Sequence, residues 1–424
     1  MHTTLIELEI FDYGMNGEGV AKQNGKIVLV PHTLIGENVN ANIVEDNKNY
    51  CIAKLNKVIT KNSHRTIPTC PYFYECGGCD LQHMDYLEQL KFKQLLIQKT
   101  IKKICNTVVD VNKTVACNQP FEYRNKISIN SQNNLFGFYK KDSKNLIKVE
   151  QCMLANNKIN SIYSICKEYC NNNNLTIKHI VIRDINDQTL VGIVSAIQLN
   201  LSGLFTILNK QFDKIGLFNI INSRNDSVVL SGKTIHVGGI KEIEIKNFNL
   251  TYSVDLLGFH QTNIEIQDKL YQDVLNYISK NSVVINGFSG QGLLSAILSK
   301  KAKKVVGIEI NSSAHNSAEK LKVTNKLTNL TNIKADFNKV IDNYKNADIL
   351  ILDPAKKGCG KDTMQKVIGI KEIIYISCNP IALCKDLNVI LNDYDIIEVT
   401  PFDMFPNTKN VETIVKLKLK ENKK

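Results

Sequence analysis

Three groups of residues have types and spacings suited to chemistry. Cys378 ends the apolar run Ile373-Ile374-Tyr375-Ile376-Ser377 and precedes Asn379-Pro380 and a helical pattern. A thiol between a strand and a helix is a candidate nucleophile, because the thiolate is the reactive form and that junction favours negative charge. Cys359, in a lysine-flanked loop, and Cys384, inside the helical pattern, compete for the role. Glu412 enters an otherwise apolar strand in Asn410-Val411-Glu412-Thr413-Ile414, where a carboxylate suits a general base. The plainer reading of Glu412 is a surface carboxylate in a salt bridge, and that of Cys378 a buried structural thiol.

The second group is Cys70, Cys76 and Cys79, spaced C-x5-C-G-G-C, whose two glycines let the backbone bend around a bound object. Soft thiolates suit zinc or an iron–sulfur cluster, and the spacing does not choose between them. A fourth ligand has to come from elsewhere, and Cys105, Cys117, Cys152, Cys166 and Cys170 all qualify. The third group begins with the glycine-rich turn Asn286-Gly287-Phe288-Ser289-Gly290-Gln291-Gly292 after an apolar run. Glu309 ends the next apolar run about twenty residues on, where a carboxylate can accept from ribose hydroxyls. Asp336 and Asp353-Pro354 follow the third and fourth runs. Both NAD and S-adenosylmethionine enzymes use this pattern.

These residues need elements to hold them. From Ser282 onward short apolar runs alternate with amphipathic helical stretches such as Leu293–Ser299 and Ala314–Lys326, the texture of a parallel doubly wound sheet with ligands at its strand ends. The first sixty residues carry five short β-like runs, one of them Gly14 to Gly19, and suggest a small closed barrel. A helical pattern covers about Tyr86 to Ile104, and Phe121 to about Thr251 reads as mixed strand and helix.

The chain has 424 residues, 43% of them hydrophobic, with 22 Gly and 8 Pro, which fits several folded domains rather than a disordered or fibrous chain. Its first thirty residues hold Glu7, Glu9, Asp12 and Glu18 and no signal-like apolar run, and no stretch has the length of a membrane span, so a cytoplasmic protein is expected. Twelve cysteines in a reducing compartment then point to metal ligands, catalytic thiols or buried apolar residues. The net charge of +12 favours a polyanionic partner. It is unevenly spread: residues 1–60 have 5 basic and 7 acidic side chains, whereas residues 111–160 have 8 and 3.

Taken together, the motifs resemble those of the bacterial uracil-5 RNA methyltransferases, most closely the branch acting on 23S ribosomal RNA. The resemblance rests on Gly14 to Val20 and Val30-Pro31, on CPYFYECGGCDLQH from Cys70 to His83, and on Phe121 to Lys126 with Gly137-Phe138-Tyr139. Phe259-His260-Gln261-Thr262-Asn263, Asp353-Pro354, Ser377-Cys378-Asn379-Pro380 and Val411-Glu412 extend it nearly end to end. It implies an α/β chain with an OB-like TRAM β-barrel (1–60), a central α+β iron–sulfur domain (61–250), and a Rossmann-like S-adenosylmethionine-dependent methyltransferase domain (251–424) against which the helix at 86–104 also packs. It implies a [4Fe-4S] cluster on Cys70, Cys76, Cys79 and Cys152, and cofactor contacts at Gln261, Phe288, Glu309, Asp336 and Asp353. Its nucleophile falls on Cys378 and its general base on Glu412, making Cys359 and Cys384 bystanders. The implied partner is 23S ribosomal RNA, met by a monomeric enzyme away from membranes.

The family's D-L-F-C-G-x-G-N turn reads Asn286-Gly287-Phe288-Ser289-Gly290-Gln291-Gly292-Leu293 here, and asparagines replace its histidines at Asn407 and Asn410. No cofactor contact is therefore assigned to Asn286 or Leu293. Two other readings compete: methylation of the transfer RNA T-loop, and a non-catalytic RNA-binding module with a degenerate methyltransferase domain. N6-adenine methylation is disfavoured, because Asp353-Pro354-Ala355-Lys356 lacks an aromatic to stack on adenine. The basic stretch 111–160, with Arg124, Lys126, Lys140, Lys141, Lys144 and Lys148, is expected to attract the phosphates.

Overall fold

The computed structural model describes residues 5–224 and 228–421. Its first sheet holds β1 (Leu5–Glu9), β2 (Asp12–Tyr13), β3 (Gly19–Gln23), β4 (Lys26–Val30), β5 (Asn38–Asp46) and β6 (Tyr50–Thr60), in the order β1-β5-β6-β4-β3-β2. Its inward residues, among them Leu8, Ile10, Val28, Val30 and Val39, form one small core. The run from Gly14 to Gly19, expected as a strand, instead turns the chain from β2 to β3 over residues 14–18: Gly14 N–H donates to Glu18 O at 2.8 Å, and Gly17 takes φ +81°. That left-handed conformation suits glycine and breaks the extended run.

The helix α1 (Tyr86–Cys105) is capped by Asp85, whose carboxylate accepts from Glu88 N–H at 2.9 Å. Phe92, Leu96, Ile97 and Ile101 recur at helical spacing and bury their side chains in the core of the C-terminal sheet. The central sheet follows, with β7 (Lys126–Gln132), β8 (Leu135–Tyr139), β9 (Leu146–Lys148), β10 (His179–Ile185), β11 (Gln188–Ser195), β12 (Ile215–Ile221) and β13 (Lys233–Gly239), in the order β13-β12-β11-β10-β7-β8-β9. Two helices, α2 (Asn157–Asn172) and α3 (Ser202–Gln211), pack their apolar residues against it. A separate hairpin, β14 (Ile243–Asn247) with β15 (Leu250–Val254), straddles residues 250 and 251, where the sequence suggests a domain boundary. Its Ile243 and Tyr252 share one core with Leu190 of the central sheet and Val284 of the C-terminal sheet.

After α4 (Ile264–Asn276) comes the third sheet: β16 (Val283–Gly287), α5 (Leu293–Ser299), β17 (Lys304–Glu309), α6 (Ser312–Thr324), β18 (Leu330–Lys334), α7 (Phe337–Val340), β19 (Ile349–Leu352), α8 (Lys361–Val367), β20 (Glu372–Ser377), α9 (Pro380–Ile390), β21 (Tyr394–Phe402) and β22 (Glu412–Leu419). The order β18-β17-β16-β19-β20-β22-β21 reverses beside β16, creating the crevice at strand C-termini where α/β sheets bind ligands. The sheet is not wholly parallel: β22 runs antiparallel between β20 and β21. Among the described residues no helix is long and apolar enough to cross a membrane.

Candidate active site

A cavity of about 770 Å3 opens at this reversal. One wall is the glycine-rich turn. Gly287 ends β16 where an added Cβ would stand 2.7 Å from the Phe337 ring, so only glycine lets that ring close in. Phe288 adopts φ +60°, packs on Phe337 with ring centroids 5.1 Å apart, and lines the cavity. Glu309 braces the turn from behind, accepting from Gly290 N–H at 2.9 Å and from Asn311 N–H at 2.7 Å. Asp336 caps α7, accepting from Asn338 N–H at 3.0 Å. Neither Glu309 nor Asp336 is among the residues lining the cavity, whereas Gln261, Phe288, Asp353, Cys378 and Glu412 are.

Gln261 sits on a loop pinned by the central sheet. The buried Arg183 donates to Asp255 O at 2.9 Å and to Gly258 O at 2.6 Å, and Asn125 Nδ2 donates to Gln261 O at 2.8 Å. The motif around Phe121–Lys126 thus acts on the cavity by holding its roof.

The opposite wall carries Cys378, Glu412 and Asp353. Cys378 follows β20, and Glu412 begins β22, the strand paired with β20. Asn379 joins the loops: its Oδ1 accepts from Ile381 N–H at 3.1 Å, starting α9, and its Nδ2 donates to Lys356 O at 2.9 Å, beside Asp353. Burial, with the Asp353 charge beside it, holds the Glu412 carboxyl well above the carboxylate range, and burial pushes Asp353 up to about 7. Burial and the Glu412 and Asp353 carboxyls push the Cys378 thiol up to about 11, opposed by the Lys356 ammonium. Burial in this cavity thus disfavours the charged form of the thiol and of both carboxyls. A positive charge brought into the cavity would draw all three groups toward their anionic forms.

Cys70, Cys76, Cys79 and Cys152 converge: Cys152 raises the thiol pKa of each of the other three, after burial, which is the largest cause. The alternatives lie elsewhere. Cys166 and Cys170 are buried in the core beneath α2, Cys105 donates to Cys384 O at 3.3 Å, and Cys117 accepts from Asn263 Nδ2 at 3.4 Å. Among the described residues no group of three or more His, Cys, Asp or Glu is placed to hold a metal ion. Thiols are donors that zinc and iron–sulfur clusters both take.

Beside these thiols runs a second groove of about 810 Å3, lined by Gly77, Tyr139, Lys140, Lys144 and Lys409 among others. Lys141 also lines it but is engaged with Asp80 at 3.1 Å. Lys356, Asn379 and Lys409 are the site residues a reading of the sequence passes over. Only their neighbourhood within D-P-A-K, S-C-N-P and the run before Glu412 hints at them.

The model of the tRNA (uracil-5-)-methyltransferase family matches residues 85–420, and that of the TRAM domain matches residues 1–55. The chain belongs to the tRNA (uracil-5-)-methyltransferase family. An uncharacterized RNA methyltransferase of Clostridium tetani is 32% identical over 96% of this chain and 95% of its own length. One from Staphylococcus epidermidis is 29% identical, covering 97% of both chains. A crystal structure of Pyrococcus abyssi tRNA (uracil-54, C5)-methyltransferase in complex with S-adenosyl-L-homocysteine superposes with a TM-score of 0.80. It spans 97% of this chain and 100% of that one, and at 23% identity it shows the shared fold. As a family member the chain is an S-adenosylmethionine-dependent RNA methyltransferase that combines a TRAM domain with a Rossmann-like catalytic fold.

Proposed function

We propose that the chain forms 5-methyluridine in 23S ribosomal RNA through a covalent adduct between Cys378 and uracil C6. The observation that carries this reading is the meeting of Cys378, Asp353 and Glu412 in one cavity, with Lys356 beside the thiol. It also favours an enzyme over a non-catalytic RNA-binding module. S-adenosylmethionine supplies an electrophilic methyl group when bound. Cys378, ionised, adds through Sγ to C6, so that C5 gains the carbanion character it needs to take up that methyl. Glu412, ionised at this stage, removes the C5 proton. The C5–H electrons form the C5–C6 double bond, the C6–S bond breaks, and Cys378 leaves as thiolate. Gln261 and Phe288 line the cavity on the side where the cofactor would lie, and Glu309 supports that side by bracing the glycine-rich turn. The target base has to leave its stack to reach Cys378, which is cheapest in a loop or bulge.

A [4Fe-4S] cluster on Cys70, Cys76, Cys79 and Cys152 has no step in this scheme. Its role is to order a loop-rich segment beside the basic groove, and the convergence of the four thiols supports it. Phosphate attraction by Lys140, Lys144 and Lys409 in that groove suits an RNA partner. The ribosomal reading rests on the TRAM match together with the cysteine set. Whole-length likeness to the archaeal transfer RNA enzyme favours a second reading, methylation of a transfer RNA T-loop. Mapping 5-methyluridine in ribosomal and transfer RNA from a deletion strain separates the two: loss from 23S RNA is expected, and loss confined to transfer RNA would overturn the ribosomal assignment.

A further inference from the structure

Residues 403–411 form the loop that joins β21 to β22 and delivers Glu412 to the cavity wall. Both halves of this loop are tied down from outside the sheet. At its start, Lys93 of α1 buries its ammonium against the Asp403 carboxylate and donates to Phe405 O at 3.0 Å, while Tyr86 OH donates to Asp403 at 2.7 Å. Further on, one residue takes over. Asn407 is 2% exposed and holds φ +66°, a left-handed conformation that asparagine adopts more readily than most residues.

Every polar group of Asn407 has a partner, and the partners come from three distant segments. Its N–H donates to Gln89 Oε1 at 3.0 Å and its Oδ1 accepts from Gln89 Nε2 at 3.2 Å, both on α1. Its Nδ2 donates to Pro120 O at 2.7 Å, in the chain entering the central sheet. Its carbonyl accepts from the N–H groups of Asp80 and Leu81 at 3.0 and 3.1 Å, directly after Cys79. A buried group satisfied from several sides resists displacement, because moving it strands several polar atoms at once. Glu412 lies five residues on, and between the two Lys409 adds further ties, its N–H donating to Asp80 Oδ2 at 3.2 Å and its Nζ donating to Asn16 Oδ1 at 2.8 Å.

We propose that Asn407 is a positioning residue that fixes Glu412 for removal of the C5 proton. This rests on the covalent reading above. Addition of Cys378 to C6 and methyl uptake at C5 do not use the Glu412 base, whereas the final elimination does. Loosening Asn407 therefore slows one step, and the methylated protein–RNA adduct builds up. A residue that merely held the fold would slow every step and enrich no intermediate.

The test uses the full chain with S-adenosylmethionine and total RNA from a deletion strain, and reads covalent RNA–protein on a denaturing gel together with turnover and thermal unfolding. Asn407→Gly keeps the left-handed backbone and drops both side-chain bonds, Gln89→Ala removes two bonds while leaving Asn407 in place, and Glu412→Gln is the reference. Adduct is expected to accumulate in Glu412→Gln, and in both other variants at roughly tenfold or more above wild type with turnover reduced by a similar factor. Slower turnover in Asn407→Gly and Gln89→Ala with no enrichment of adduct, or unchanged turnover in both, overturns the assignment of Asn407 while leaving the mechanism intact. Absence of adduct in Glu412→Gln overturns the covalent reading itself, and the assignment with it.

Discussion

Cys378 and Glu412 flank the end of one antiparallel ladder: Ser377 and Thr413 are the last partners of β20 and β22, and Cys378 and Glu412 come next on either side. The proposed nucleophile and base are thus set by the register of two neighbouring strands. Burial is the largest cause of their shifts, and each carboxyl in the cavity further opposes the charge of the thiol. Burying these groups carries a cost in stability that can be measured.

Glu412→Gln stabilises the ligand-free protein at neutral and alkaline pH. A buried acid whose folded pKa is raised binds its proton more tightly in the folded state, so stability falls as pH climbs above the unfolded pKa. The amide removes that loss. Thermal unfolding is expected a few degrees higher than wild type at pH 8 and converging near pH 4. Asp353→Asn follows the same sign, with its change confined between the ordinary carboxyl value of 3.8 and about 7. Lower melting temperatures for both variants at pH 8 would show that burial does not govern these groups.

Lys356→Gln makes Cys378 less reactive. The Lys356 ammonium is the cation that opposes the upward shift of the thiol, so its loss lowers the thiolate fraction at any given pH. Alkylation of the Cys378 peptide by iodoacetamide, followed by mass spectrometry, should rise with pH in both proteins and be several-fold slower in the variant at pH 8. Equal rates would remove Lys356 from the account.

Replacing Lys140, Lys144 and Lys409 by Gln lowers the salt dependence of RNA binding, by about one unit of log–log slope for each phosphate that is no longer neutralised. Lys141→Gln changes it less, because that ammonium is already engaged by Asp80. Filter binding between low and physiological salt measures the slopes, and an unchanged slope in the triple variant would place the phosphates on another surface.

Lys93→Met leaves the Asp403 carboxylate buried without its cation, and both side chains are fully buried. Loss of about 3–5 kcal/mol of stability is expected, with a smaller loss when Asp403→Leu is added. Chemical denaturation of the single and double variants checks the order.

What was legible in the sequence is what depends on neighbours along the chain. Cys378 ahead of Pro380, Asp353-Pro354 and the turn around Phe288 carry their context with them, and each stands at the strand end their spacing implies. The helix at Tyr86–Cys105 was readable from its apolar spacing. Features made by distant pairing were not. Nothing near Glu412 reveals that β22 inserts antiparallel beside β20, and nothing near Glu309 reveals that its carboxylate faces Gly290 and Asn311 N–H. The basic stretch at 111–160 was visible as charge, but its groove draws Lys409 from the far end of the chain and finds Lys141 already paired. Asn407 read as the loss of a histidine, whereas in the fold its amide joins three segments.

In the proposed reaction Cys378 bonds covalently to the target uridine. RNA transcribed with 5-fluorouridine has no C5 proton to lose, so turnover stops after methyl uptake. Wild-type protein incubated with this RNA and S-adenosylmethionine should yield a complex that survives denaturing electrophoresis and carries the RNA on the Cys378 peptide, and Cys378→Ser should yield none. A wild-type protein that methylates ordinary RNA yet forms no such complex, or a complex that persists in Cys378→Ser, would contradict the account.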